Sequence, residues 1–441
     1  MFNSFDFYER KKLILLSIIA CLVASSYAIL RPLKISIFFQ FVGKDYYPYC
    51  KLLLFIFIAP CMIWYSNLVN RCKKHVVLYS LFTAYFFIGI IFYYLLSHQS
   101  YGITNLVSDP YRLTGWLFSI SMDLYPTFIL GALWAYINSI STPEFAKKSY
   151  GIITAFVKAG GIVASLLSIL LIYKNQDSTL IPILVLLASL TLIISIFFVS
   201  KISKDIPEKY LSGYNIDSKE KHPHKTKPKL FEGFKLMLTR PYVFGIFLMY
   251  YFYDAIFTGI EYQAMKTLSD ATQNYAIKMS STLFVCMLSS QIIGLLLALV
   301  VTPFILKKMS MKYSLIVMPI VVALSIYTAF TYPTLQIMLI VITLLPAFHY
   351  GINTPLREVL FIPTIKEIQF KSKLWIDSLG RALSKSSGSV ANILSISPTT
   401  ILIFGPLLLP SLLATSVGWS AIAYLMGKKY NTVISNKEVI Q

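Results

Sequence analysis

Acidic residues are scarce in this chain: 19 Asp and Glu stand against 39 Lys and Arg, for a formal net charge of +20. Charge of either sign is scarce too. Only 13% of residues are charged against 56% hydrophobic, and mean hydropathy is +0.68, which excludes a soluble globular domain. Cysteine is limited to Cys21, Cys50, Cys61, Cys72 and Cys286, an odd number set mostly within apolar runs, so no disulfide framework is implied. The five histidines lack metal-ligand spacing, so neither a metal nor a cofactor is expected. No folded basic domain gathers the lysines, which argues against nucleic acid as a partner. The apolar run after Lys12 exceeds a signal-peptide core and lacks a small-residue cleavage site, so it predicts a retained first span.

What the chain has in abundance is apolar stretches long enough to cross a bilayer of ~30 Å. They begin near Leu13, Leu52, Val76, Trp116, Tyr150, Leu180, Val243, Leu283, Ser314, Leu335, Leu374 and Thr400. This predicts an all-α polytopic membrane protein of twelve transmembrane helices in two six-helix halves. The fourth span contains Asp123 and Pro126, the tenth Pro346 and His349, and the eleventh is the most polar; such spans are expected to line a cavity.

Basic residues crowd alternate connections: Arg10 to Lys12; Arg71, Lys73 and Lys74; Lys147 and Lys148; Lys201 to Arg240; Lys307, Lys308 and Lys312; Arg357 to Lys373; Lys428 and Lys429. The positive-inside rule then places both termini and the central loop in the cytoplasm. Residues 1–200 form the N-terminal half and 243–441 the C-terminal half, with 201–242 as a cytoplasmic linker. Within the linker, Lys201 to Lys229 is expected to be loosely attached, its HPHKTKPK reads as a solvated loop, and LFEGFKLML from Leu230 predicts a short amphipathic helix.

An internal repeat supports the halves. KAGGIVASLLSI from Lys158 and KSSGSVANILSI from Lys385 match in Lys, Gly, Val, Ala, Leu, Ser and Ile, and at the same offset Lys34 falls on Glu261. Parallel repeats of this kind occur in major-facilitator transporters; shared small-residue packing explains the same match structurally. Charges sit inside the spans. Arg31 and Lys34 flank Pro32, Asp123 is in the fourth span, Lys158 in the fifth, and Asp254 and Glu261 in the seventh. Asp377, Arg381 and Lys385 recur at steps of four in LWIDSLGRALSKSSGSVANILS, so a helix puts them on one face. Two cations one turn apart need an anion beside them, and Asp377 neutralises one. The set predicts a cationic cavity between the halves, suited to phosphate or carboxylate groups.

At these residues the chain resembles the bacterial and plastid nucleotide transporter family, the ATP/ADP translocases of obligate intracellular bacteria and plastids. LRPLK at Leu30 to Lys34 looks like the family's first-helix Arg-x-x-Lys element. LWAYINSISTPEFAKKSY from Leu133 resembles its tryptophan-aromatic-Asn stretch, and IEYQAMK from Ile260 its glutamate-containing seventh helix. PLREVLFIP and IDSLGRALSKSSG resemble its Lys-Glu, Asp-x-x-G and GKSGG-like stretches. Departures are Ile35 for an acidic residue, Asp123 for a glutamate and Ser384 for a glycine.

The resemblance implies a major-facilitator-like fold and substrate contacts at Lys34, Asp123, Glu261 and Lys385. The buried-charge pattern adds Arg31, Lys158, Asp377 and Arg381. The expected function is exchange of nucleotides, ATP for ADP, by alternating access, in a monomer in the bacterial inner membrane. A transporter of another nucleotide or organic anion, with or without proton coupling, is the alternative. KSSGS is not an NTPase phosphate loop, since it lacks the preceding strand and the upstream glycine. A membrane enzyme acting on a phosphorylated lipid would need surface carboxylates in partnership, and the loops offer only Glu144, Glu358 and Glu367.

Overall fold

An Asp6-x-x-Glu9 capping box starts the first helix: the Asp6 side chain receives backbone N–H groups while Glu9 reaches back to the Asp6 amide. The computed structural model describes residues 6–175, 177–211, 232–273, 275–365, 368, 372–394, 396, 398–436 and 438–440. Its long helices are α1 (Phe7–Phe41), α2 (Tyr47–Arg71), α3 (Lys74–Ser97), α4 (Leu113–Ser139), α5 (Pro143–Asn175) and α6 (Leu180–Asp205). After the central segment come α7 (Pro241–Ala271), α8 (Ala276–Lys308), α9 (Met311–Thr331), α10 (Leu335–Val359) and α12 (Pro398–Ser435). Between α10 and α12 lies α11, a continuous helical run built of Lys373–Trp375, Ile376–Gly380 and Arg381–Leu394.

Eleven helices among the described residues are long and apolar enough to cross a membrane. The expected twelfth is α11, whose serines and charges hold its hydropathy down although its length suffices. The protein is therefore a multi-pass, all-helical membrane protein, as its apolar runs predict.

Two compact units divide the chain. The first is Met1–Lys44, Pro60–His224 and Thr272–Leu288. Its axis is α1, apolar on all sides and packed against α4, α5 and α6, while α3 packs on α6. The second unit is Asp45–Ala59, Lys225–Ala271 and Ser289–Gln441. Its axis is α7, packed against α10, α11 and α12. The first helix of each half is thus ringed by the fourth, fifth and sixth that follow it.

The repeated segments use one packing device. A Cβ on Gly160 of α5 would sit 2.3 Å from the Cys21 carbonyl oxygen of α1, and a Cβ on Gly388 of α11 would sit 2.3 Å from the Ala255 carbonyl oxygen of α7. Only glycine allows that approach. The small-residue explanation of the repeat is therefore realised in both units.

Part of the central segment departs from expectation. Lys201 to Asp205 continue α6, and Glu208–Leu211 is a further helical turn tied to the start of α1. The Tyr210 hydroxyl donates to the Asp6 carboxylate, and the buried Lys12 ammonium donates to the carbonyls of Ile140 and, at 2.8 Å, Tyr210. Lys12 is therefore an internal strut of unit 1, where sequence reading counted it as a loop charge. The rest of the loosely attached stretch, with HPHKTKPK, lies outside the described residues; a short helix occupies Glu232–Thr239.

Candidate functional site

Several of the charges that sequence reading singled out meet in pairs within each unit. In unit 1, α1 carries Arg31 and Lys34 around Pro32, a residue inside the helix that supplies no N–H to the ladder. The Lys34 ammonium meets the Asp123 carboxylate of α4 at 2.6 Å, with both side chains almost wholly buried. Three residues past Asp123 the helix widens into a π turn, Pro126–Leu130; such turns recur at functional sites. Lys158, half-buried on α5, lies close enough to Arg31 for the two positive charges to repel. Unit 1 thus brings together Arg31 with Lys158 and Lys34 with Asp123.

In unit 2, Arg381 and Asp377 form an ion pair one turn apart at 3.7 Å, across another π turn, Ile376–Gly380. Asp254 of α7 acts on the same guanidinium, and Glu261 lies half-buried two turns further along α7. Lys385 follows one turn beyond Arg381, half-buried, and among the described residues no hydrogen bond or ion pair engages it. Helix α11 is fixed around Lys385 by neighbours on both sides. Ser386 donates to the Lys51 carbonyl at 3.2 Å, and the Asn392 amide donates to the Thr258 carbonyl at 3.3 Å.

Two further cations escaped sequence reading. Arg357, expected in a cytoplasmic basic loop, is fully buried on α10. Its guanidinium carbon lies 3.5 Å from the centre of the Tyr250 ring, and its Nη2 is 3.3 Å from His349 Nε2. The signal was present: His349, Asn353 and Arg357 recur at steps of four, the same stripe that marks Asp377, Arg381 and Lys385. Lys51 is the second. It was passed over because the apolar run begins at Leu52, yet it is buried in α2 with its ammonium 4.8 Å from the Tyr47 ring. Glu358, considered as a lone surface carboxylate, pairs with Lys373 at 2.5 Å.

Opposed cations and carboxylates on helices, without a nucleophile–base pair among them, can bind and release an anion. Solved transporters share the fold. A bacterial homologue of the iron transporter ferroportin in its inward-facing state superposes with TM-score 0.61 at 12% identity, covering 97% of this chain and 99% of that one. The inward-open xylose transporter XylE from E. coli gives TM-score 0.57 at 11% identity, covering 95% and 94%. The nucleoside transporter NupG gives 0.56 at 12% identity, covering 95% and 99%. These likenesses establish a major-facilitator-type fold. No curated protein sequence matches the chain. The family model for the TLC ATP/ADP transporter matches residues 1–430. With nearly its whole length matched, this chain belongs to the TLC ATP/ADP transporter family, and it is a nucleotide transporter rather than an enzyme.

Proposed function

We propose that the protein exchanges ATP for ADP by alternating access, as a monomer in a bacterial cytoplasmic membrane with both termini on the cytoplasmic side. Two six-helix halves, residues 1–200 and 243–441, are joined by the linker 201–242. Arg31, Lys34, Lys158, Arg381 and Lys385 meet the phosphates, while Asp123, Glu261 and Asp377 hold cations when no nucleotide is present.

One observation carries the reading. Lys34 and Arg381 each have a carboxylate, whereas Lys385 has none among the described residues. A half-buried cation kept without a counter-ion is costly in a membrane protein unless a ligand supplies the negative charge. Phosphate does so with charge-assisted hydrogen bonds.

The test is uptake of labelled nucleotides into proteoliposomes loaded with ADP. ATP uptake should require internal ADP and should exceed that of other nucleotides and organic anions. Uptake that ignores the internal nucleotide would refute exchange, and a stronger response to another anion would reassign the substrate. With about four negative charges moving against about three, an inside-negative potential opposes ATP entry by ~2.3 kcal/mol per 100 mV. Collapsing that potential should therefore speed ATP entry, and an unchanged rate would mean charge-balanced exchange.

A further inference from the structure

Arg357 is wholly buried, and among the described residues no carboxylate pairs with it and its Nε and Nη1 have no hydrogen-bond acceptor. Leaving a guanidinium there costs free energy that a core of aliphatic residues would not. Two contacts hold it. Its planar group stacks 3.5 Å over Tyr250, a cation–π geometry that arginine makes and lysine does not reproduce. Its Nη2 lies 3.3 Å from His349 Nε2, which accepts only if the imidazole proton sits on Nδ1; the Asn353 side-chain amide, 3.3 Å from Nδ1, must then turn its oxygen toward that N–H. The imidazole is itself stacked on Tyr253 at 3.7 Å.

The same Tyr250 ring carries a second guanidinium, with Arg381 at 5.7 Å from its centre. Arg381 is otherwise paired with Asp377, at a loose 3.7 Å, with Asp254 acting on the same guanidinium, and its Nε lacks an acceptor among the described residues. The ring sets where Arg381 points, and Arg357 sets where the ring stands. Two like charges on one ring also repel, which leaves Arg381 ready to move toward an arriving anion. We propose that Arg357 is a positioning residue for nucleotide binding, acting on Arg381 through Tyr250. The proposal rests on the reading that Arg381 meets the phosphates.

The experiment measures ATP KM and maximal rate in proteoliposomes, normalised to inserted protein, for Arg357→Lys, Arg381→Lys, the double variant, Tyr250→Phe and Tyr250→Leu. Arg357→Lys should raise KM about tenfold, the equivalent of 1.4 kcal/mol, with the maximal rate per inserted protein unchanged. The double variant should be no worse than Arg381→Lys alone, because the second change then has nothing left to position. Tyr250→Phe keeps the ring and should resemble the wild type, while Tyr250→Leu should resemble Arg357→Lys. Multiplying losses in the double variant, or a fall in maximal rate at unchanged KM, would overturn the proposal. If Arg357→Lys fails to insert, the Tyr250 pair decides: equal KM in the Phe and Leu variants overturns it. An unaltered KM in Arg381→Lys overturns the phosphate reading itself and this proposal with it, whereas a raised KM there with none in Arg357→Lys sinks the positioning role alone.

Discussion

In unit 1 the Lys34 ammonium meets Asp123 at 2.6 Å with the side chains 9% and 5% exposed; in unit 2 Arg381 meets Asp377 at 3.7 Å with the side chains 35% and 37% exposed. The helices that carry these charges pack alike, α1 ringed by α4 to α6 and α7 by α10 to α12. Their charges are nonetheless used differently. A dry, short pair is a fixed element whose halves depend on each other, whereas a loose pair in a wetter place costs little to part. Equivalent scaffolds can therefore hold one closed cluster and one that is easily opened.

The largest effect should come from splitting the closed pair. Lys34→Ala or Asp123→Ala strands a buried charge and should cost about 3–5 kcal/mol of stability, read as a lower unfolding temperature in detergent. Lys34→Met combined with Asp123→Leu should recover that stability without recovering transport. Asp377→Ala should cost about 0–1 kcal/mol; a loss as large as that of Asp123→Ala would erase the contrast between the units.

Next in size is the contrast between the repeat lysines. An amine bonded to phosphate contributes ~1.5 to 3 kcal/mol, so Lys385→Ala should weaken ATP binding by roughly ten- to a hundredfold. Lys158→Ala should do less, on the proposal that its phosphate contact is secondary to packing or gating beside Arg31. Equal losses in folded protein would show that the halves have not diverged, and undiminished binding in Lys385→Ala would remove α11 from the site.

Smaller again is the packing that the units share. Gly160→Ala and Gly388→Ala each push a methyl into a neighbouring backbone carbonyl and should cost about 1–3 kcal/mol by overpacking. The two should match closely in thermal shift, because here the units do the same thing; a marked difference would extend the asymmetry from charge to packing.

The smallest effect is confined to unit 1. The Tyr210 hydroxyl and the Phe7 amide hold the Asp6 carboxyl below its ordinary range. The lowered value means that the tie between Glu208–Leu211 and α1 is fully present above the ordinary carboxylate pKa and is lost as pH falls through the lowered one. Hydrogen exchange of residues 208–211 should therefore quicken at acid pH in the wild type. In Tyr210→Phe it should be fast throughout, and a pH-dependent step in that variant would mean that another group makes the tie.

The helices were legible because apolar length is a one-dimensional property. Even α11, the most polar of them, was read as a span from the stretch that begins near Leu374. The candidate site was half legible. Charges at steps of four inside apolar runs revealed Arg381 and Lys385, but Arg357 was assigned to a loop because it ends an apolar run and precedes more lysines. Lys51 and Lys12 failed for the same reason from the other end: a cation at the edge of a span reads as its boundary, and only tertiary contacts show that the boundary is inside the protein. Partner identity was least legible. Nothing in the spacing of Lys34 tells that Asp123 of α4 will meet it, since that depends on how two helices cross.

The π turns at Pro126–Leu130, Leu297–Val301, His349–Asn353 and Ile376–Gly380 have a bearing on how the chain tolerates change in length. Each accommodates a surplus residue within a helix whose two ends keep their facing. Taking one residue out of Ile376–Gly380 lets the turn close as ordinary α-helix while Trp375 and Lys385 keep their sides. Taking one out of Arg381–Leu394 has no such slack to absorb it and rotates one flank against the other by about 100°. Length itself is thus buffered beside the charges and unforgiving where Gly388 rests on α7.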